Sequence, residues 1–164
     1  MNRAGIEELF AFTEYSWREH ENTVRPLGDE LLTRPAPGSG WPALRDVLAH
    51  INWAYIRWLA NPAATTDEPV EDIRSWIQLE AYRLRVRGHA RSYLDSLGDA
   101  ELSAPRDMNV DGDVLRYSPA DIFVHVFLHE RQHHGDINTL LYQLGLDVPV
   151  VEFRFSLPEN PLPA

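Results

Sequence analysis

Residues 118–145 read SPADIFVHVFLHERQHHGDINTLLYQLG. The stretch carries the punctuation of one long helix. Ser118 can accept from a first-turn amide, and Asp121 stands where a capping-box acid reaches back. Pro119 suits the first helical position, where its missing N–H costs nothing. Ile122, Phe123, Val126, Phe127, Ile137, Leu140, Leu141 and Leu144 recur near helical spacing, and Gly145 stops the run. The spacing predicts a helix over 119–144. A stripe of large apolar side chains on such a helix must be buried against other elements.

Three more proline-free segments supply those elements. The first, over 3–25, carries Ile6, Leu9, Phe10, Phe12, Thr13 and Trp17. In the second, over 42–60, Leu44, Val47, Leu48, Ile51, Ala54, Tyr55 and Trp58 form an amphipathic stripe, with Pro42 suited to the first turn. The third, over 70–97, carries Ile73, Trp76, Ile77, Ala81, Leu84, Ala90, Tyr93 and Leu94, with Gly98 expected to close it as a left-handed cap. Proline and glycine clusters at 26–42, 61–69 and 98–119 separate the four. The Asp-Gly pair inside Val110–Val114 predicts a small hairpin or ordered loop before the last helix. The tail VPVVEFRFSL alternates as a short extended piece would. The expected fold is all-α, a four-helix bundle in one domain over 1–164.

Composition narrows the function. With 15 Lys and Arg against 25 Asp and Glu, the formal charge is −10. That balance argues against nucleic acid and anionic membranes and favours cations. No run is apolar enough to span a membrane, and no signal peptide is read at MNRAGIEELFAF, so the expected location is the cytoplasm. There is no cysteine, so a metal site here must use His, Asp or Glu.

Histidine is where the chemistry concentrates. His125, His129 and His133 are spaced i, i+4, i+8 and line one helical face; His134 is rotated away by about 100°. Imidazoles four residues apart can share one cation. His50 lies on the apolar stripe of the second segment, where a polar ring needs a partner. Three His from two helices leave a coordination position open, as catalytic zinc-type sites do. His20 and His89, among charged residues, read as solvated surface.

The string His129-Glu130-Arg131-Gln132-His133 is also literally H-E-x-x-H, the pattern of zinc metallopeptidases, a further alternative in which Glu130 would be a general base on bound water. The extended spacing of that class fails. Glu152, the remaining candidate third ligand, falls in the tail after Gly145, and no upstream sheet is present to hold a peptide.

Two stretches together resemble the DinB-like superfamily of small four-helix bundles. They are Trp41-Pro42-Ala43-Leu44-Arg45-Asp46-Val47-Leu48-Ala49-His50-Ile51 and His129-Glu130-Arg131-Gln132-His133-His134-Gly135-Asp136-Ile137. The resemblance covers nearly the whole chain. It implies that His50, His129 and His133 are the ligands of a divalent transition metal, zinc or nickel. It leaves His125 as a buried, hydrogen-bonded ring lining the pocket, and His134 pointing toward a neighbouring helix or solvent. Asp136 stands where the family often has Gln. Relatives include thiol-dependent S-transferases and isomerases. The resemblance thus implies a metal-dependent enzyme of thiol-transferase or hydrolase type, acting on a small molecule such as a low-molecular-weight thiol, with Glu130 acting on bound water or orienting a ligand. An anionic thiol would need local cations, for which Arg45, Arg57 and Arg131 are candidates. A non-catalytic, stress-related bundle that binds a metal or ligand is the alternative. Relatives are often dimers, and Trp17, Trp53, Trp58 and Trp76 are many large aromatics for one small bundle; a homodimer with some of them exposed is expected.

Overall fold

The computed structural model describes residues 1–60, 72–110 and 112–157. Helix α1 spans Arg3–Val24, capped by the Asn2 side chain on the Gly5 amide at 3.0 Å. A 3-10 turn at Arg25–Leu27 and the short α2, Glu30–Thr33, lead to a tight loop and then α3, Leu44–Tyr55. A π turn, Ile56–Ala60, continues α3. Helix α4 is Trp76–Ser96, α5 Asp99–Ser103, α6 Pro119–Gln143 and α7 Phe153–Ser156. Strands β1, Arg106–Val110, and β2, Asp113–Tyr117, pair antiparallel between α5 and α6. Four long helices thus account for most of the structure. Helix α6 packs on α1 and on α3, and α3 packs on α4.

Helix α6 starts and stops as its sequence dictates. The Asp121 amide donates to Ser118 Oγ at 3.2 Å, and the Ser118 amide donates to Asp121 Oδ2 at 2.9 Å. At the other end Gly145 takes φ 71°, and the Leu146 amide donates to the Leu141 carbonyl at 2.9 Å. The positive φ is what lets the chain reverse there, and only glycine adopts it without strain. Its apolar stripe is buried as expected: Phe123, Val126, Ile137, Leu140 and Leu141 are fully covered, against Ile6, Leu44, Val47, Ile51, Leu79 and Leu94 from the other helices. Each such side chain contributes about 1.5–3 kcal/mol of transfer free energy.

Several boundaries differ from expectation. Helix α3 begins at Leu44, not Pro42. The Pro42 carbonyl is taken by the Ala36 amide at 3.1 Å, closing the preceding loop, and Ala43 becomes the N-cap. Helix α4 begins at Trp76, because Ser75 turns its hydroxyl onto the Gln78 amide at 3.3 Å and the Trp76 amide donates to Asp29 at 2.8 Å. Gly98 is not a left-handed cap: it takes φ −76° and opens α5, its amide held by Glu101 at 2.7 Å. The tail is not extended throughout. Residues 153–156 make one helical turn, drawn in where Phe153 packs edge-on to Phe12 at 5.3 Å. The proline cluster at 61–69, a helix start at Val70, Asp111 in the hairpin turn and the last prolines lie outside the described residues.

The four tryptophans named above are not exposed. Trp17 and Trp76 are buried in the core, and Trp53 and Trp58 are half-buried. No described helix is long and apolar enough to cross a membrane.

Candidate metal centre

Helical spacing puts His129 and His133 on one face of α6, one turn apart. Packing of α3 against α6 brings His50 opposite them. His50 Nε2 lies 3.2 Å from His129 Nε2, and His133 Nε2 lies 3.1 Å from the same atom. One ligand atom from each of the three residues falls within 4.8 Å of the others. Two nitrogens bonded to one tetrahedral ion at 2.0–2.1 Å stand about 3.3–3.4 Å apart. The observed separations are within a few tenths of an ångström of that. Three imidazoles this close fit a donor set for a cation.

The surroundings keep the His129 ring neutral. Burial lowers the pKa of His129 to about 4, helped by His133, His50 and His125 nearby. A ring that stays unprotonated offers its lone pair to a metal at neutral pH. His133 Nδ1 lies 2.8 Å from Asp136 Oδ2, which fixes the proton on Nδ1 and leaves Nε2 free to ligate. The same Asp136 oxygen accepts from Trp41 Nε1 at 3.0 Å. Burial raises the Asp136 carboxyl, but the hydrogen bonds from Trp41 and His133 outweigh it and hold the group below its ordinary value. Trp41 also walls the site, 5.1 Å from the His50 ring and 5.3 Å from the His133 ring. His129 Nδ1 is buried without a hydrogen bond.

A model of the DinB superfamily matches residues 13–137. The chain belongs to the DinB superfamily. The match takes in Trp41, His50, His129, His133 and Asp136 together, so the histidine cluster lies within the family's own region of this chain. No curated protein matches the chain. The DinB helical bundle and its three-His cluster fit metal binding.

The other sequence candidates fall elsewhere. His125 is exposed rather than buried. Its ring packs at a tilt 4.4 Å from that of Trp58 and its centre is 6.3 Å from that of His129, so it stands one turn off the cluster. His20 is not surface. It is 2% exposed, its Nδ1 donates to the Ser16 carbonyl at 2.8 Å, and Nε2 meets the Asn138 side chain at 2.9 Å. Its flanking charges mislead, while its register does not: Thr13, Trp17, His20 and Val24 form one buried stripe. His134 turns toward α1 and stacks on His20 at 4.6 Å. His89 is exposed, as expected.

Glu130 has a different setting from the one the H-E-x-x-H string suggests. One residue on from His129, it is rotated into the core and is fully buried. Both carboxylate oxygens accept from Arg87 Nη2 at 2.7 Å, and the Tyr55 hydroxyl donates to Oε2. Arg87 is itself stacked 4.0 Å over the Tyr55 ring and reaches Thr13 Oγ1 at 3.3 Å. Burial would lower the Arg87 pKa, but Glu130 overrides it and the guanidinium stays charged. Burial pushes the Tyr55 hydroxyl well above its ordinary value, so it remains a donor. The carboxylate is thus held by partners from α3 and α4. Glu152, exposed in the tail, pairs with Arg154 at 2.8 Å. Of the candidate cations, Arg131 donates to the Val151 carbonyl at 3.1 Å, Arg57 lies 5.2 Å over Trp53, and Arg45 reaches the Ile73 carbonyl at 3.5 Å.

The buried imidazoles set a pH dependence. Burial lowers the pKa of His20, and lowers that of His134 well below its ordinary value. The unfolded chain therefore binds protons below about pH 6.5 that the folded chain refuses. Stability is full above that pH and declines as pH falls below it. Thermal melts of the metal-free protein are expected to show Tm nearly level from pH 7.5 to about 6.5 and dropping from there to pH 5.5. A flat Tm over that range would mean that these rings are not buried neutral.

Proposed function

We propose that this DinB protein is a metal-dependent enzyme of thiol S-transferase or hydrolase type, holding zinc or nickel through His50, His129 and His133. The observation that carries the reading is that the Nε2 atoms of His50 and His133 lie 3.2 and 3.1 Å from that of His129, with one ligand atom of each residue within 4.8 Å of the others and three donors rather than four. Three imidazoles suit either ion. A bound ion of this kind lowers the pKa of water or a thiol and polarises a carbonyl. The protein's own residues do the rest. His129 keeps its lone pair because burial refuses it a proton, Asp136 holds the His133 ring in the ligating tautomer, and Trp41 excludes water from one side. Arg57, over the rim residue Trp53, offers a cation for the anionic end of a small thiol substrate. Glu130 serves as a core anchor in this reading and not as the base.

The proposed assembly is a homodimer. Ile77 and Leu84, a heptad apart on α4 and exposed, leave an apolar strip on which a second copy would pack. Light scattering is expected to give twice the 18.8 kDa chain mass, and a monomer mass would reject it.

The functional reading is tested by elemental analysis of protein purified without an affinity tag, followed by a transfer assay pairing common cellular thiols with electrophilic acceptors. Metal-dependent turnover with at least one thiol is expected. Metal bound at the cluster with no turnover on any thiol or simple ester would favour a binding bundle instead.

A further inference from the structure

Asp136 and Trp41 are not among the three ring donors, yet both reach the cluster. Asp136 is three residues after His133, on the turn where an i, i+3 side chain meets the ring from behind. Its Oδ2 takes two donors at once, His133 Nδ1–H at 2.8 Å and Trp41 Nε1–H at 3.0 Å. Trp41 does not come from a helix. It is delivered by the loop before α3, and that loop is held from several sides. Ser39 Oγ bonds the Ala36 and Trp41 carbonyls at 2.8 and 2.9 Å. The Ala36 amide bonds the Pro42 carbonyl at 3.1 Å, and Gln143 of α6 donates to the Gly38 carbonyl at 3.1 Å. Gly40 takes φ 89°, which allows the turn that aims Trp41 inward.

Resting on the metal-site reading above, we infer that Trp41, Asp136 and His133 form a positioning relay, in which the loop before α3 sets how tightly the cluster holds its ion. The Trp41 indole N–H fixes the Asp136 carboxylate. The carboxylate fixes the His133 ring with its proton on Nδ1, so Nε2 faces His129 and His50. Removing the carboxylate frees the ring to rotate and to change tautomer. Partners of this kind are worth 10–100-fold in metal affinity. Asp136 is a half-exposed side chain and not part of the core, so the chain is expected to fold without it.

The test is zinc affinity, read by competition with a chromophoric chelator, on the full chain and its variants. Asp136→Ala is expected to weaken zinc binding about 10–100-fold, with the metal-free protein still melting in one cooperative transition. Asp136→Asn, which still accepts from Nδ1–H, is expected to recover part of that loss. Trp41→Phe keeps a ring but loses the indole N–H. It is expected to weaken zinc binding in the native background and to have no further effect on top of Asp136→Ala. An Asp136→Ala affinity within twofold of the native chain overturns the relay. So does an Asp136→Asn variant no better than Ala, or a Trp41→Phe effect undiminished without Asp136. A native chain that takes up no zinc overturns the metal-site reading as well, which separates the two failures.

Discussion

Replacing His129 by alanine is expected to abolish metal binding at micromolar ion, with affinity falling by more than the roughly 100-fold that loss of an outer partner can cost. His129 is the central donor: its Nε2 is the atom within 3.2 Å of both other ring nitrogens. Without it, His50 and His133 are left as two imidazoles, and two are too few to hold a zinc-type ion in water. His50→Ala and His133→Ala are expected to lose binding nearly as completely, and His89→Ala, on an exposed face, to bind as the native chain does. Isothermal titration with zinc at pH 7.5 reads all four. Retention of one ion per chain in His129→Ala would remove the site.

Replacing Arg87 by methionine is expected to be the most destabilising single change. Arg87 is 5% exposed and Glu130 fully buried, so the variant leaves a carboxylate in the core without its guanidinium, facing the Tyr55 hydroxyl and, at 3.6 Å, the His134 ring. Removing one partner of a buried pair costs about 3–5 kcal/mol. In a chain of this size that lowers Tm by about 10 °C. Glu130→Gln, which keeps hydrogen bonding and removes the charge, is expected to lose less stability and to bind zinc within a few-fold of the native chain. If Glu130→Gln melted as the native chain does and lost only turnover, Glu130 would be a catalytic base after all.

The histidine cluster was legible for a physical reason. Residues i and i+4 share a face whatever the tertiary structure, so His129 and His133 could be paired from spacing alone. His50 needed one further step, that a polar ring on an apolar stripe must find a partner. The capping signals Ser118, Asp121 and Gly145 act locally, and the structure places each as its chemistry requires. What depends on long-range packing was not legible. Glu130 sits in a string that reads as catalytic, but its partners Arg87 and Tyr55 come from two other helices and no spacing announces them. His20 sits between Glu19 and Glu21, and local charge outweighed the buried register of Thr13, Trp17 and Val24. Pro42 is compatible with a helix start, yet the carbonyl needed for the first turn closes the Ala36–Pro42 loop instead. That same loop is what carries Trp41 to Asp136.

In the proposed site three imidazoles, one of them from α3, hold one ion. X-ray absorption of the zinc-loaded protein counts them directly. The prediction is three imidazole nitrogens at about 2.0–2.1 Å with one further light-atom neighbour, falling to two imidazoles in His50→Ala. A shell with fewer than three imidazoles, or one that His50→Ala leaves unchanged, would contradict it.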